Sequence, residues 1–182
     1  MESIEKDNYI VFSGAPGSGK TSLLKRLSAD GSELVPEPAR QIIAEQRIVH
    51  GNALPDKDPS LFTRELLLRS VEQFDRRRAS DGLVYFDRGI PDVIAYARLY
   101  DLPLDEIEQA CQRHRYNSQV FILPPWEEIY STDEERKMNF EETVRFHEFL
   151  VEAYRRSNYQ LIEVPCVSVK SRVDFVLGRL RA

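Results

Sequence analysis

Eight consecutive residues, Gly14-Ala15-Pro16-Gly17-Ser18-Gly19-Lys20-Thr21, complete the pattern G-x-x-x-x-G-K-[ST]. Each position has a physical task. The glycines let the backbone wrap closely, so that its N–H groups turn inward toward phosphate oxygens. A helix beginning near Gly19 adds the positive end of its dipole. Lys20 supplies a full charge to the β- and γ-phosphates, and the Thr21 hydroxyl suits a Mg²⁺ ion. Ser22 extends the same turn. Residues 14–22 are therefore expected to hold ATP, with GTP as a possible donor.

Phosphate binding alone does not choose a reaction. Glu37 and Arg40 follow one short apolar run, and Asp87 and Arg88 follow another. In open parallel sheets ligands sit beyond the carboxyl ends of strands, so both pairs should project toward the phosphates. Asp87 closes a hydrophobic run and could share Mg²⁺ with Thr21. Arg88 stands where hydrolysing motor ATPases carry a catalytic glutamate, which argues against a motor. No N-K-x-D occurs, which argues against a switch GTPase. Each candidate has a plainer alternative. Glu37 could cap the helix that follows, Arg40 could pair with Glu37 one turn away, and Arg88 could pair with Asp92.

The elements that must position these residues are read from periodicity. Strands are expected at Tyr9–Phe12, Leu34–Val35, Leu83–Phe86, Val120–Leu123 and Gln160–Val164. Helices are expected after Gly19, over Gln41–Val49, from Asp58-Pro59 past Phe74, around Ile107–His114, and from Ser168 to Leu180. Asn139 and Glu142 form a capping-box pattern. Behind them Phe140, Val144, His147, Val151 and Tyr154 mark one helix stripe. Strands alternating with helices imply an α/β, three-layer fold: a five-stranded parallel sheet, helices on both faces, and right-handed crossovers between neighbouring strands. With no linker in sight, residues 1–182 read as one domain.

Composition excludes several classes. The chain has 182 residues, 42% hydrophobic and 30% charged, with a formal net charge of −5. An acidic balance without a reader motif gives no reason to expect a nucleic-acid partner. Two cysteines, Cys111 and Cys166, cannot build a disulfide framework and fit a reducing cytoplasm. No leader or membrane span is expected. Oligomeric state is not readable.

The Glu37-Pro38 and Asp87-Arg88 pairs resemble deoxynucleoside and thymidine kinases. The wider layout, through Pro124-Pro125-Trp126, Asp133-Glu134-Glu135-Arg136-Lys137 and Val164-Pro165, is more similar to the NadR-like P-loop kinase domains. That resemblance implies an ATP- and Mg²⁺-dependent kinase acting on a hydroxyl of a nucleoside, ribosyl or vitamin-like metabolite. Glu37 would then bind or deprotonate the acceptor, with Arg40 and Arg88 as further substrate contacts. Lys20, Glu37, Asp87, Arg88 and Arg136 would be the catalytic set. A lid is expected over residues 127–138, with Arg136 or Lys137 reaching the phosphates. Position alone suggests Cys166, Val167 and Arg172 for the base. The competing reading is a nucleotide-binding regulatory module with slow hydrolysis and a protein or lipid partner.

Overall fold

The computed structural model describes residues 3–130 and 138–181. Alternation of side chains along each strand decides the layout. A two-residue strand β1 (Ile4–Glu5) precedes β2 (Tyr9–Gly14), which is buried along its whole length. Ile10 and Phe12 pack to one side with Leu23, Leu24 and Leu27 of α1 (Lys20–Leu27). Tyr9 and Val11 pack to the other. A strand covered on both faces must be apolar at every position, which explains the unbroken Tyr9–Phe12 run.

After α1 come a 3₁₀ turn (Ser28–Asp30), β3 (Glu33–Val35), α2 (Pro38–Ile48) and α3 (Pro59–Asp75). Asp58 caps α3 by accepting from the Leu61 amide at 2.9 Å, with Pro59 in the first turn. Next follow β4 (Val84–Asp87), α4 (Ile90–Leu99), α5 (Asp105–Arg113), β5 (His114–Arg115) and β6 (Gln119–Leu123). A 3₁₀ turn (Glu127–Ile129), α6 (Phe140–Arg156), β7 (Gln160–Glu163) and α7 (Val169–Leu180) complete the described chain.

The main sheet is five-stranded and parallel, in the order β3-β4-β2-β6-β7. The expected fold class is what the chain adopts. The expected adjacency holds for β3 with β4 and for β6 with β7, but not for the other consecutive pairs: β4 lies between β2 and β3, and β2 lies between β4 and β6. The loop after β2 therefore sits at the centre of the sheet, where the chain leaves in opposite directions and opens a crevice. Helices α1 and α7 pack on one face, while residues of α2 through α6 pack on the other. Strands β1 and β5 form a separate two-stranded parallel ribbon, so His114 leaves the helix expected to hold it.

Two helices correct the sequence reading. Helix α4 was not foreseen. Six of its ten residues, Ile90, Val93, Ile94, Ala95, Ala97 and Pro91, are buried apolar groups, so it shows no polar face. Helix α6 begins where its capping box predicted, with Asn139 Oδ1 accepting from the Glu142 amide at 2.9 Å and Glu142 answering at 2.7 Å. Its buried stripe is turned, however. Thr143, Phe146, Leu150, Ala153 and Tyr154 face the core, whereas Val144 is exposed. This rotation predicts a contrast in equilibrium unfolding. Leu150→Ala should lose about 3 kcal/mol, as buried leucines do, and Val144→Ala under about 0.5 kcal/mol. Equal losses would place the wrong face inward.

Candidate active site

The loops after β2, β3 and β4 open into one cavity of about 780 Å³. Residues Ala15–Ser22 form one wall, and Glu37, Arg40 and Arg88 form the opposite side. Gly14 and Asp87 stand just behind this lining. Gly14 has φ +146, and a Cβ there would meet the Leu123 carbonyl oxygen at 2.3 Å, so only glycine fits between β2 and β6. Gly19 takes φ +81 at the N-terminus of α1, and Gly17 φ +78. Residues 15–22 all line the cavity, with Lys20 buried and Thr21 and Ser22 exposed.

Charge is neutralised internally beyond the ends of β3 and β4. Lys20 Nζ contacts Asp87 Oδ1. Burial pushes the Asp87 carboxyl upward, with Lys20 opposing and Glu37 reinforcing that shift. Glu37 occupies the cap position of α2 but makes no capping hydrogen bond. It accepts instead from Arg88 Nε at 2.6 Å and Arg40 Nε at 3.1 Å. Burial favours its neutral form, but Arg88 and Lys20 outweigh that and bring the carboxyl down to about 2. Glu37 is therefore an anion throughout the physiological range.

Arg88 is held from two sides. Its Nη1 donates to Asp92 Oδ1 at 2.8 Å while its Nε serves Glu37. Burial weakens the cationic form, yet Glu37, Tyr96 and Asp92 raise its pKa further. Arg88 itself sits at φ +78, a left-handed conformation that is strained for a bulky side chain. The strain is held by the Arg88 amide donating to the Phe12 carbonyl at 2.9 Å. The pairing of Arg88 with Asp92 that the sequence offered is therefore formed, and Glu37 joins it on the other side of the same guanidinium.

Asp92 is the residue that sequence reasoning undervalued. It is 2% exposed and accepts from Ser13 Oγ (2.7 Å), the Gly89 amide (2.9 Å), Arg88, and the Tyr154 hydroxyl. Tyr154 is pushed well up by burial and by Asp92, so it remains a donor. A proline in the first turn of α4 with aspartate at its third position was the legible signal.

The remaining candidates separate. Arg136 and Lys137 lie outside the described residues, as does most of the expected lid. Its flanks are the turn Glu127–Ile129 and Met138, whose carbonyl accepts from the Tyr130 hydroxyl. Arg76, Arg77 and Arg78 pair with Glu72, Glu33 and Asp75 away from the cavity. Cys111 is buried and its thiol pushed up to about 12, while Cys166 is exposed. Trp126, Ile129, Met138, Val167 and Arg172 close the end of the cavity beside the phosphate loop. Ile43, Leu54, Phe62, Tyr96 and Tyr100 form an apolar and aromatic far end.

Two outcomes follow from these charges. Asp92→Ala leaves Arg88 with Glu37 alone and strips Ser13, the Gly89 amide and Tyr154 of their buried acceptor, so it should cost about 3–5 kcal/mol in urea unfolding; a loss below about 1 kcal/mol would mean that Glu37 suffices for Arg88 and that the other donors find new partners. His147 of α6 has a buried, unpartnered Nδ1, and burial together with Arg88 brings its ring down to about 4. The unfolded chain then binds a proton that the folded chain refuses. Stability should fall as pH drops from about 6.5 toward 4, and His147→Gln should flatten that part of the curve. An unchanged slope would place the titration elsewhere.

Comparison with known proteins places this geometry. No curated protein sequence matches the chain. Among solved structures, deoxyadenosine kinase from M. mycoides, with products dCMP and a flexible dCDP bound, superposes at TM-score 0.69 and 15% identity, covering 95% of this chain and 98% of that one. The NadR protein in complex with NR gives 0.66 and 20%, covering 86% of this chain and 43% of that longer protein. Thymidylate kinase from Ehrlichia chaffeensis gives 0.61 and 20%, with 96% and 98% covered. At such identities these similarities establish the fold. The family profile AAA_28, described as an AAA domain, matches residues 9–172, and the chain belongs to that family.

Proposed function

We propose that this protein is an ATP- and Mg²⁺-dependent kinase that phosphorylates a hydroxyl of a small nucleoside, ribosyl or vitamin-like metabolite, with GTP as the alternative donor. The observation that carries the reading is the single cavity in which the phosphate loop faces the Glu37–Arg88 pair. A regulatory nucleotide switch has no need of a buried carboxylate opposite its phosphates, nor of an aromatic-walled chamber behind it. A kinase needs both, one to orient an acceptor hydroxyl and one to hold the body of the acceptor. The kinases of similar fold support the same direction.

The roles follow from the geometry. Lys20 leaves Asp87 to meet the donor phosphates, and the backbone N–H groups of residues 15–20 cradle them. Thr21 and Asp87 supply the hard oxygen donors that Mg²⁺ prefers, and they would hold the ion. The metal would supply charge neutralisation across the phosphates. Glu37, held low by Arg88, is too weak a base to remove the hydroxyl proton early. It accepts a hydrogen bond from the acceptor hydroxyl, aligns its oxygen, and takes the proton as the new bond forms. Arg88 answers the negative charge that spreads over the transferred group. Arg40, 40% exposed at its side chain, borders the entrance to this chamber. Arg136 is assigned the phosphate-closing role from the lid.

The test is a phosphotransfer screen. The protein with Mg·ATP is incubated with pooled nucleosides, ribosyl compounds and vitamins, and products are sought by mass spectrometry. Lys20→Ala should lower transfer by about 100-fold or more through lost phosphate stabilisation. Glu37→Gln should lower it by about 100-fold while leaving ATP affinity within about threefold. Firm nucleotide binding with no product from any pool would overturn the kinase reading.

A further inference from the structure

Arg172 is an anomaly in this fold. It lies on α7, on the face of the sheet opposite Glu37's helix, and is only 1% exposed. Its Nε donates to the Pro165 carbonyl at 2.9 Å. Its Nη1 donates to the Ser18 carbonyl, inside the phosphate loop, at 2.8 Å. The indole of Trp126 lies against it, with the guanidinium carbon 4.6 Å from the ring centroid. A Cβ built on Gly19 would come within 3.0 Å of Nη1, so the cation stands directly behind the residue that precedes α1. The Cys166 side chain lies beside the guanidinium. Yet Nη2 is buried with no hydrogen-bond partner, and no carboxylate pairs with Arg172 among the described residues.

A buried cation without an anion is costly, and a buried donor without an acceptor adds to the cost. Arginines are rarely buried unpaired. The missing charge has an evident source, since the cavity that Arg172 lines is also the one walled by the phosphate loop. In that low-dielectric setting a charge behind the loop acts strongly on an anion in front of it. We propose that Arg172 is a second donor-site cation, a positioning residue that holds the Ser18–Gly19 backbone and lends its charge to the polyphosphate of the bound nucleotide. This assigns Arg172 to the phosphates and not to the base, against the expectation from position alone. It rests on the reading of residues 14–22 as a donor-nucleotide site. Trp126 caps the guanidinium and keeps water from screening it.

The test separates phosphate from base and from packing. Binding of ATP and of inorganic tripolyphosphate is measured by calorimetry, and binding of adenosine by ligand-observed NMR, for the native chain, Arg172→Met and Arg172→Lys. The melting temperature of each is read with and without ATP. Arg172→Met should weaken both ATP and tripolyphosphate about tenfold or more, one order of magnitude per 1.4 kcal/mol, and leave adenosine unchanged. Arg172→Lys should recover part of the loss because it restores charge without the fork. The ATP-induced rise in melting temperature should shrink in Arg172→Met while the ligand-free melting temperature stays nearly level, since the free protein gives up an uncompensated cation. Loss of adenosine binding with tripolyphosphate untouched would make Arg172 a base contact and overturn the proposal. Unchanged affinities, or a collapse of ligand-free stability with affinities intact, would make it a packing residue and overturn it as well. If Arg172→Met fails to fold, the Lys and Gln variants are compared by the same readings. Failure of the native chain to bind either ATP or tripolyphosphate would instead remove the donor site on which the kinase reading itself stands.

Discussion

The buried guanidinium of Arg88 is the contact on which the rest of the site depends. Glu37 and Asp92 approach it from two different elements, α2 and α4. Without it, burial would favour the neutral form of Glu37, and Asp92 would lose its one cationic partner among the described residues. Asp92 in turn holds the first turn of α4 through the Gly89 amide, and it gathers Ser13 from β2 and Tyr154 from α6. One strained residue at the end of β4 therefore ties together two strands and three helices, directly or through Asp92. The strain at φ +78 is stored where function needs a fixed charge, as strained backbone generally is.

The sheet order gives that contact its place. Because β4 lies beside β2, Asp87 meets Lys20 across one strand spacing, and Arg88 lies within reach of the loop after β3. The pairing of Lys20 with Asp87 and of Glu37 with Arg88 leaves the free protein with few uncompensated charges in the cavity wall. A nucleotide exchanges partners with them and need not create charge in a dry site. Arg172, with no carboxylate partner among the described residues, approaches from the opposite face through α7.

Core packing serves the same end. Phe12 stacks on Phe121 at 5.1 Å between ring centroids, which seats β2 against β6 below the phosphate loop. Leu123 and Gly14 then meet backbone to backbone, and no side chain fits at that crossing. Phe146 of α6 lies under Arg88, with the guanidinium carbon 5.8 Å from its ring centroid. The helix that carries it starts at Asn139, just after the residues outside the described chain.

What the amino-acid sequence determined by itself was everything local. Backbone demands at Gly14, Gly17 and Gly19, and the charge of Lys20, lie within one turn of chain, so the phosphate loop was legible. The central strands β2, β4 and β6 were legible because burial on both faces leaves unbroken apolar runs, while the edge strands β3 and β7 showed only short apolar pairs beside prolines. The capping box at Asn139 and the cap at Asp58-Pro59 marked helix starts for the same reason: their hydrogen bonds close within a few residues. Tertiary structure decided what depends on partners distant along the chain. Helix α4 has no polar face to betray its period, because the other layers surround it. The stripe of α6 was misphased because His147 and Val151 are only partly buried and Thr143 is fully so, and only packing against α4 sets that rotation. Whether Glu37 capped a helix or faced Arg88 depended on β4 lying beside β3, a pairing that joins residues 51 apart. That Arg172 reaches Ser18, 154 residues away, without a carboxylate partner among the described residues was likewise invisible, since such a gap is defined by what does not come near.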